Sequence, residues 1–205
     1  MARPRSISDE RLLAAAAAVI GRSGPGFTLA QVAAEAGVAV GTVAKRFGSK
    51  NGLLRALSRI TTQWTVEVVR VAAAAVDGPL AALRAGVVAT YSGLTPAEGA
   101  GNGAEAATNH LGQLGVDLGD PELRALLGEH YAALESELRR LVRRAAAVED
   151  WRGPAPARAA RVLLSVVNGA ALDWSIRPKG RLADRLVVET DAVLAGWHRE
   201  QEGKR

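Results

Sequence analysis

The stretch "AGVAVGTVAKRFGSK", residues 36–50, sets glycines, an apolar run and three cations (Lys45, Arg46 and Lys50) side by side. Two readings compete for it: the corner of a buried helix pair, or a device for entering a DNA groove. Just upstream, "FTLAQVAAEAGV" carries Thr28 followed three residues later by Gln31, the spacing of a capping box. That pair predicts a short helix starting at Leu29. Leu29, Val32, Ala33 and Ala36 follow the i, i+3, i+4, i+7 spacing of one helical face, and Gly37 supplies a left-handed corner where the helix stops. A second short helix is expected over about Val40–Phe47, with Val43 and Phe47 turned inward. Gly48 breaks it, and Ser49 caps a long helix through Trp64 to about Ala75. Before the pair, a helix is expected from about Asp9 to Ser23, with Ser8 as N-cap and acids in its first turn, ended by "GPG" (24–26).

Helix, glycine corner and short helix together are the signature of a helix-turn-helix. Leu29, Val32, Ala33, Ala36, Val38, Val43 and Phe47 would lock the two helices, and the small residues at 33 and 36 allow a close approach. The second helix is then free to present its opposite face to a major groove. Charge agrees. Residues 1–60 hold nine Lys/Arg against three acids, a net +6, whereas the other 145 residues hold 17 bases and 18 acids. A cationic head on a near-neutral body is the distribution expected of a polyanion-binding protein. A phosphate-loop reading of "FGSK" fails because no glycine sits five positions before Gly48.

The stretch "FTLAQVAAEAGVAVGTVAKRFGSKNGLL" resembles the TetR family of bacterial transcriptional regulators in its Thr cap, the pair Val32-Ala33, "AGV", "GT", an aromatic at Phe47 and "SK..LL". The resemblance covers about residues 7–60. It implies that Thr28, Thr42, Arg46 and Lys50 hold phosphates, while Ala39, Val40, Gly41 and Lys45 face base edges. Two positions depart from the family pattern: Ala44 stands where Tyr is usual, and Ala39 where Ser or Thr caps the recognition helix. The missing cap costs about 1 kcal/mol locally. With Ala39, Val40 and Ala44 at the groove face, readout would rest on thymine methyls, on Lys45 donating to guanine and on DNA shape. Arg3 and Arg5, on an N-terminal arm, would add phosphate or minor-groove contacts.

The rest of the chain is helical in pattern, with abundant alanine and leucine and only 4% aromatics. Helices are expected at about 79–92, from Asp120-Pro121 to about Ala147, at 156–176 and at 181–199. Between Gly86 and Gly119, eight glycines, including those of "EGAGNG" (98–103), predict a mobile loop plus one short helix near 104–113. The expected architecture is all-α with about nine helices. A helix-turn-helix DNA-binding domain (1–60, motif about 28–47) would precede a helical effector-binding and dimerisation domain (61–205). The 205 residues include no cysteine, which excludes disulfides and thiolate chemistry. "LLAAAAAVIG" does not make a secretory signal because Asp9 and Glu10 interrupt its basic flank. "VLLSVVNGAAL" is far shorter than the roughly 20 residues that span a bilayer. A cytoplasmic protein is the plain reading.

The body carries less specific signals. A near-palindromic DNA site calls for two heads, and the last two helices offer apolar stripes for a homodimer, with Leu163, Val167, Ala170, Leu186, Val193 and Trp197 at the interface. The same stripes could instead close the subunit's own core. The middle helices would enclose a cavity for a small apolar or aromatic effector, with Trp64, Tyr91, Asn109, His110, His130, Tyr131 and Trp174 as lining candidates. No metal spacing and no cofactor motif is present. With three histidines and no nucleophile or paired-carboxylate constellation, a helical enzyme has little to stand on. The remaining alternative is a constitutive DNA-binding protein without an effector. If Lys50 holds a phosphate, Lys50→Ala should flatten the log–log salt dependence of DNA binding by about one unit whatever the DNA sequence, in a salt titration of duplex affinity.

Overall fold

A computed structural model of the chain describes residues 7–94, 103–148 and 150–198. The expected arm residues Arg3 and Arg5, positions 98–102 of the glycine-rich stretch and position 199 of the expected last helix lie outside the described residues. Among the described residues all regular structure is helical: α1 Asp9–Ser23, α2 Leu29–Ala36, α3 Val40–Phe47, α4 Lys50–Ala74, α5 Pro79–Ala89, α6 Gly103–Gly119, α7 Pro121–Val148, α8 Pro156–Ile176 and α9 Leu182–Ala195. No described helix is long and apolar enough to cross a membrane. The described residues fall into two compact units. The first is drawn from 1–62 and 105–130, the second from 63–104 and 131–205.

In the first unit, local chemistry sets the helix ends. The Ser8 hydroxyl accepts from the Arg11 N–H, and Asp9 and Glu10 occupy the first turn of α1, where the positive end of the helix dipole favours them. The Thr28 N–H donates to Gln31 Oε1 at 2.8 Å while the Gln31 N–H donates to the Thr28 hydroxyl at 3.2 Å, a complete capping box. Gly37 ends α2 at φ 69°, ψ 36°, a conformation a side chain would strain. Around these ends Leu12, Ala16, Phe27, Val32, Ala33, Val43 and Leu53 form a core with no more than 1% of any residue exposed.

That core is finished by residues from much later in the chain. Leu123 and Leu126 of α7 are part of it. Asn109 of α6 donates from Nδ2 to the Gly21 carbonyl at 2.9 Å, satisfying an acceptor in the last turn of α1. A β-carbon on Gly112 would sit 3.3 Å from the Pro25 ring, so the helix approaches the "GPG" corner closely. α6 runs 17 residues rather than stopping near 113, and past that point Gln113 Nε2 donates to Asp117 Oδ1 at 2.8 Å and Arg124 Nη1 donates to the Leu118 carbonyl at 3.2 Å. Its internal glycines weaken it by about 1 kcal/mol each, and docking offsets that penalty.

The second unit packs α8 against α9, with α5 against both. Leu83, Val87, Leu138, Leu163, Val167 and Leu186 are fully buried. Gly86 lets helices meet, since a β-carbon there would fall 2.5 Å from Leu141 Cδ1. Among the described residues of this unit one carboxylate is buried: Glu137, its side chain 6% exposed, pairs with Arg140 at 2.5 Å and Arg70 at 3.3 Å. Burial opposes its ionisation, but hydrogen bonds and charge from the two arginines outweigh that and hold its pKa below the ordinary carboxylate value. The last helix stops at Ala195, short of the expected 199. Beyond it the Arg152 N–H donates to the Trp197 carbonyl at 2.8 Å, and the Trp151 and Trp197 rings meet edge to face at 5.6 Å. The chain is turned aside to pair with the α7–α8 connection.

Those contacts bear on the residues expected at a subunit interface. Leu163, Val167 and Leu186 are 0% exposed and Ala170 is 7%, so these four close the core of their own chain. Val193 is half-buried, and Trp197 packs on Trp151. The periodicity located the apolar stripe, but part of it faces inward.

Where α4 begins, the Ser49 hydroxyl accepts from the Gly52 N–H at 3.1 Å, and a β-carbon on Gly52 would lie 2.0 Å from the Phe47 carbonyl oxygen. Because the obstructing atom is backbone, Gly52→Ala must push the end of α3 away from α4. Urea unfolding of Gly52→Ala should show a loss of about 1–3 kcal/mol, the usual cost of forced overpacking, whereas Gly41→Ala, with nothing within 4 Å, should be near neutral.

Candidate nucleic-acid interface

Helix α3 is eight residues long, and its two sides differ sharply. Val43 is 0% exposed beneath it, and Phe47 is half-buried. Val40 is 45% exposed, and Ala39, Gly41, Thr42, Lys45 and Arg46 are exposed as well, with Ala44 half-buried. The four residues assigned to base edges, Ala39, Val40, Gly41 and Lys45, therefore all reach the surface. Ala39 occupies the N-cap position with extended backbone and no side-chain cap bond, while its carbonyl accepts from the Thr42 N–H at 2.9 Å. The outer surface of α3 is small and apolar apart from the Thr42 hydroxyl and two cations, Lys45 and Arg46.

The four residues assigned to phosphates have different surroundings. Thr42 is open. The Thr28 hydroxyl is used in the α2 capping box. Lys50 is half-buried: its Nζ donates to the Pro25 carbonyl at 2.5 Å and lies 4.3 Å from the centre of the Phe27 ring, a cation–π arrangement. Arg46 contacts the start of α1, with Nη1 2.8 Å from an Asp9 carboxylate oxygen and Nη2 donating to the Ile7 carbonyl at 3.3 Å.

Other charged groups of this unit escape a sequence reading because their partners are distant in the chain. Asp120 caps α7 by accepting from the N–H groups of Glu122 and Leu123, and its second oxygen accepts from Asn51 Nδ2 at 3.2 Å. The Leu123 N–H above all holds this carboxyl below its ordinary pKa. Glu122 lies 3.0 Å from Arg55 Nε, close enough for an ion pair though not aligned as a hydrogen bond. Arg22 pairs with Glu35 at 2.5 Å. The only available sequence signal was Asp120-Pro121 as a helix start, which says nothing about what the cap touches.

The effector-lining candidates divide between the units. Asn109 and His110 belong to the first, beside Gly21 and Gly24. His130 also belongs there, its Nδ1 3.1 Å from the Thr62 hydroxyl oxygen. Burial pushes both imidazoles below their ordinary pKa, so they are neutral at neutral pH. Trp64, Tyr91, Tyr131 and Trp174 belong to the second unit. Tyr91 donates to Asn168 Oδ1 at 2.8 Å, and burial, with Tyr131 nearby, raises its pKa. Trp174 is buried and donates to the Gly180 carbonyl at 3.2 Å. A separate groove of about 360 Å³ lies between α4, α5 and α9. Ala72, Val76, Ala81, Arg84, Ala85, Val88, Ala89, Ser92, Ala183, Leu186 and Val187 line it, and none of the candidates is among them.

Comparison with known proteins identifies this arrangement. Residues 12–57 match the model of the tetR family of bacterial regulatory proteins, and residues 115–196 match that of the C-terminal region of BetI-type transcriptional repressors. The chain is 41% identical over 90 residues to HTH-type transcriptional regulators BetI of Burkholderia mallei and Burkholderia pseudomallei, covering 42% of this chain. That match spans 46% of the relatives' length, about half. Among solved structures, a TetR transcriptional regulator from Streptomyces coelicolor superposes with a TM-score of 0.63 at 26% identity, covering 93% of this chain and 98% of the other. SmeT, the repressor of a Stenotrophomonas maltophilia multidrug efflux pump, gives 0.67 at 22% identity, covering 95% and 92%, a likeness of fold. The exposed short helix on a glycine corner, the helical body behind it and matches at both ends of the chain agree: this protein belongs to the TetR family of bacterial transcriptional regulators.

Proposed function

We propose that the chain is a cytoplasmic transcriptional repressor that binds a near-palindromic operator as a homodimer and is released by a small apolar or aromatic effector. The observation that carries the DNA-binding part is the two-sidedness of α3, with Val43 sealed beneath it and Ala39, Val40, Gly41, Thr42 and Lys45 exposed. Short apolar side chains favour thymine methyl contacts, and Lys45 is placed to donate to guanine. Thr28, Thr42 and Lys50 hold phosphates in this reading. Lys50 can keep its Pro25 contact meanwhile, because an ammonium has three donors.

For the homodimer, the face of α8 and α9 left uncovered by the subunit's own packing supports the reading. Leu172 is 48% exposed, Ile176 69% and Val188 63%, and Gly169 has open space around it. Exposed apolar side chains gathered on paired helices mark a protein-binding surface. The apolar groove between α4, α5 and α9 supports an apolar effector, since its volume suits a small molecule.

A mobility-shift assay on the DNA flanking its own gene, run as a salt series, tests the central claim. A discrete complex whose affinity falls with salt is expected, and indifference to every duplex at low ionic strength would end the reading. Ile176→Glu should give folded monomers in sedimentation analysis that bind the same duplex at least tenfold more weakly, because each head alone makes half the contacts. For the effector, linkage requires unequal affinity for free and DNA-bound protein, so equal affinities in calorimetry would remove it.

A further inference from the structure

Helix α3 is too short to be stable on its own and lacks a side-chain cap, so its placement depends on what ties it to its neighbours. Val43 anchors its middle. At about 100° per residue, Lys45 points about 160° away from the Val43 direction, whereas Arg46 lies only about 60° from it. Arg46 thus leaves the helix on its flank, toward the start of α1. There both terminal nitrogens of the guanidinium are engaged, Nη1 on the Asp9 carboxylate at 2.8 Å and Nη2 on the Ile7 carbonyl at 3.3 Å. A planar guanidinium fork suits such a two-point tie. The Asp9 carboxylate beside it would also repel an incoming phosphate.

From this geometry we infer that Arg46 is a positioning residue rather than a phosphate ligand: with Asp9 it forms a strut that fixes the last turn of the recognition helix to the first turn of α1. The strut rests on the DNA-binding reading and deepens it. Asp9 favours binding although it is an acid on a DNA-binding head, because without it α3 samples orientations that do not fit the groove. An exposed ion pair is a weak tie, so the competent fraction falls modestly when it is cut, by roughly two- to fivefold in affinity.

The two possible roles for Arg46 give opposite signs. The probe is the best-bound duplex recovered by the protein from a random-sequence pool, with a scrambled duplex of the same composition for comparison. Glu10→Gln removes a carboxylate from the same turn of α1 and calibrates the general effect of charge. If the strut operates, Asp9→Asn binds the selected duplex roughly two- to fivefold more weakly than Glu10→Gln, Arg46→Ala loses a similar amount, and the double variant is no worse than either single one. The salt slope of Arg46→Ala then matches wild type, since no phosphate contact is lost. Melting and helicity measured alongside confirm that each variant is folded. Tighter binding by Asp9→Asn than by Glu10→Gln, or a slope flattened by about one unit in Arg46→Ala, makes Arg46 a phosphate ligand and overturns the strut. So does the absence of any effect in either variant. Failure of the DNA-binding reading is distinguishable, because wild type would then bind no duplex, which removes the strut's function as well.

Discussion

The DNA-facing surface depends on one constraint: an eight-residue helix with no side-chain cap must be held against a core strongly enough to offer its other side to a ligand. Val43, with no exposed surface, is the centre of that hold. It reaches the core because Gly37 turns the chain through a left-handed corner, and because Val32 and Ala33 leave a seat for it on α2. Burying a valine side chain is worth about 1.5–3 kcal/mol, more than a missing cap costs. The chain can therefore do without a hydroxyl at Ala39 and keep small apolar groups on the exposed face of α3. The same trade makes neighbouring ties matter, since within α3 only Val43 and the half-buried Phe47 hold its orientation.

How far the sequence disclosed this depends on the range of the interaction. Ser8, the Thr28–Gln31 box, Gly37, Ser49 and Asp120 act within a few residues of themselves, and the helix ends they set fall where the local pattern placed them. The packing pattern of the helix pair was equally legible, because a 3.6-residue period already states which side is buried. What escaped was long-range. α6 docks through Asn109 reaching Gly21 and Gly112 admitting Pro25, and continues to Gly119 with Gln113 bonded to Asp117 and Arg124 to the Leu118 carbonyl, whereas glycine-rich composition alone argues against a helix there. The early end of α9 follows from the Trp151–Trp197 contact, which no local rule announces. Among the site residues, exposure of the α3 face was foreseeable, but the intrachain partners of Arg46 and Lys50 were not.

The apolar stripes of α8 and α9 illustrate a limit of periodicity. A helix that serves both its own core and a second surface has two apolar faces, and the pattern does not rank them. Leu163 and Val167 took the inner role because α5 and α9 pack there, leaving Leu172, Ile176 and Val188 outside. The ranking requires knowledge of the neighbours, and hence of the fold.

Charge shows the same limit with a functional consequence. Read along the chain, the first 60 residues carry +6. Folding brings residues 105–130 into the same unit, with five acids and one arginine, and lowers the net charge of that unit to +2. Within it, Arg22 is paired with Glu35, Arg46 with Asp9 and Arg55 with Glu122, and Lys50 is engaged by Pro25 and Phe27. Salt dependence of DNA binding counts phosphates neutralised, not cations present. Among the described residues of this unit most cations are held in this way, and each held one must leave or share its partner before it adds to the slope. The electrostatic excess visible in the sequence therefore overstates what this unit can offer a polyanion, and the exposed face of Ala39, Val40 and Gly41 adds small apolar surface rather than charge.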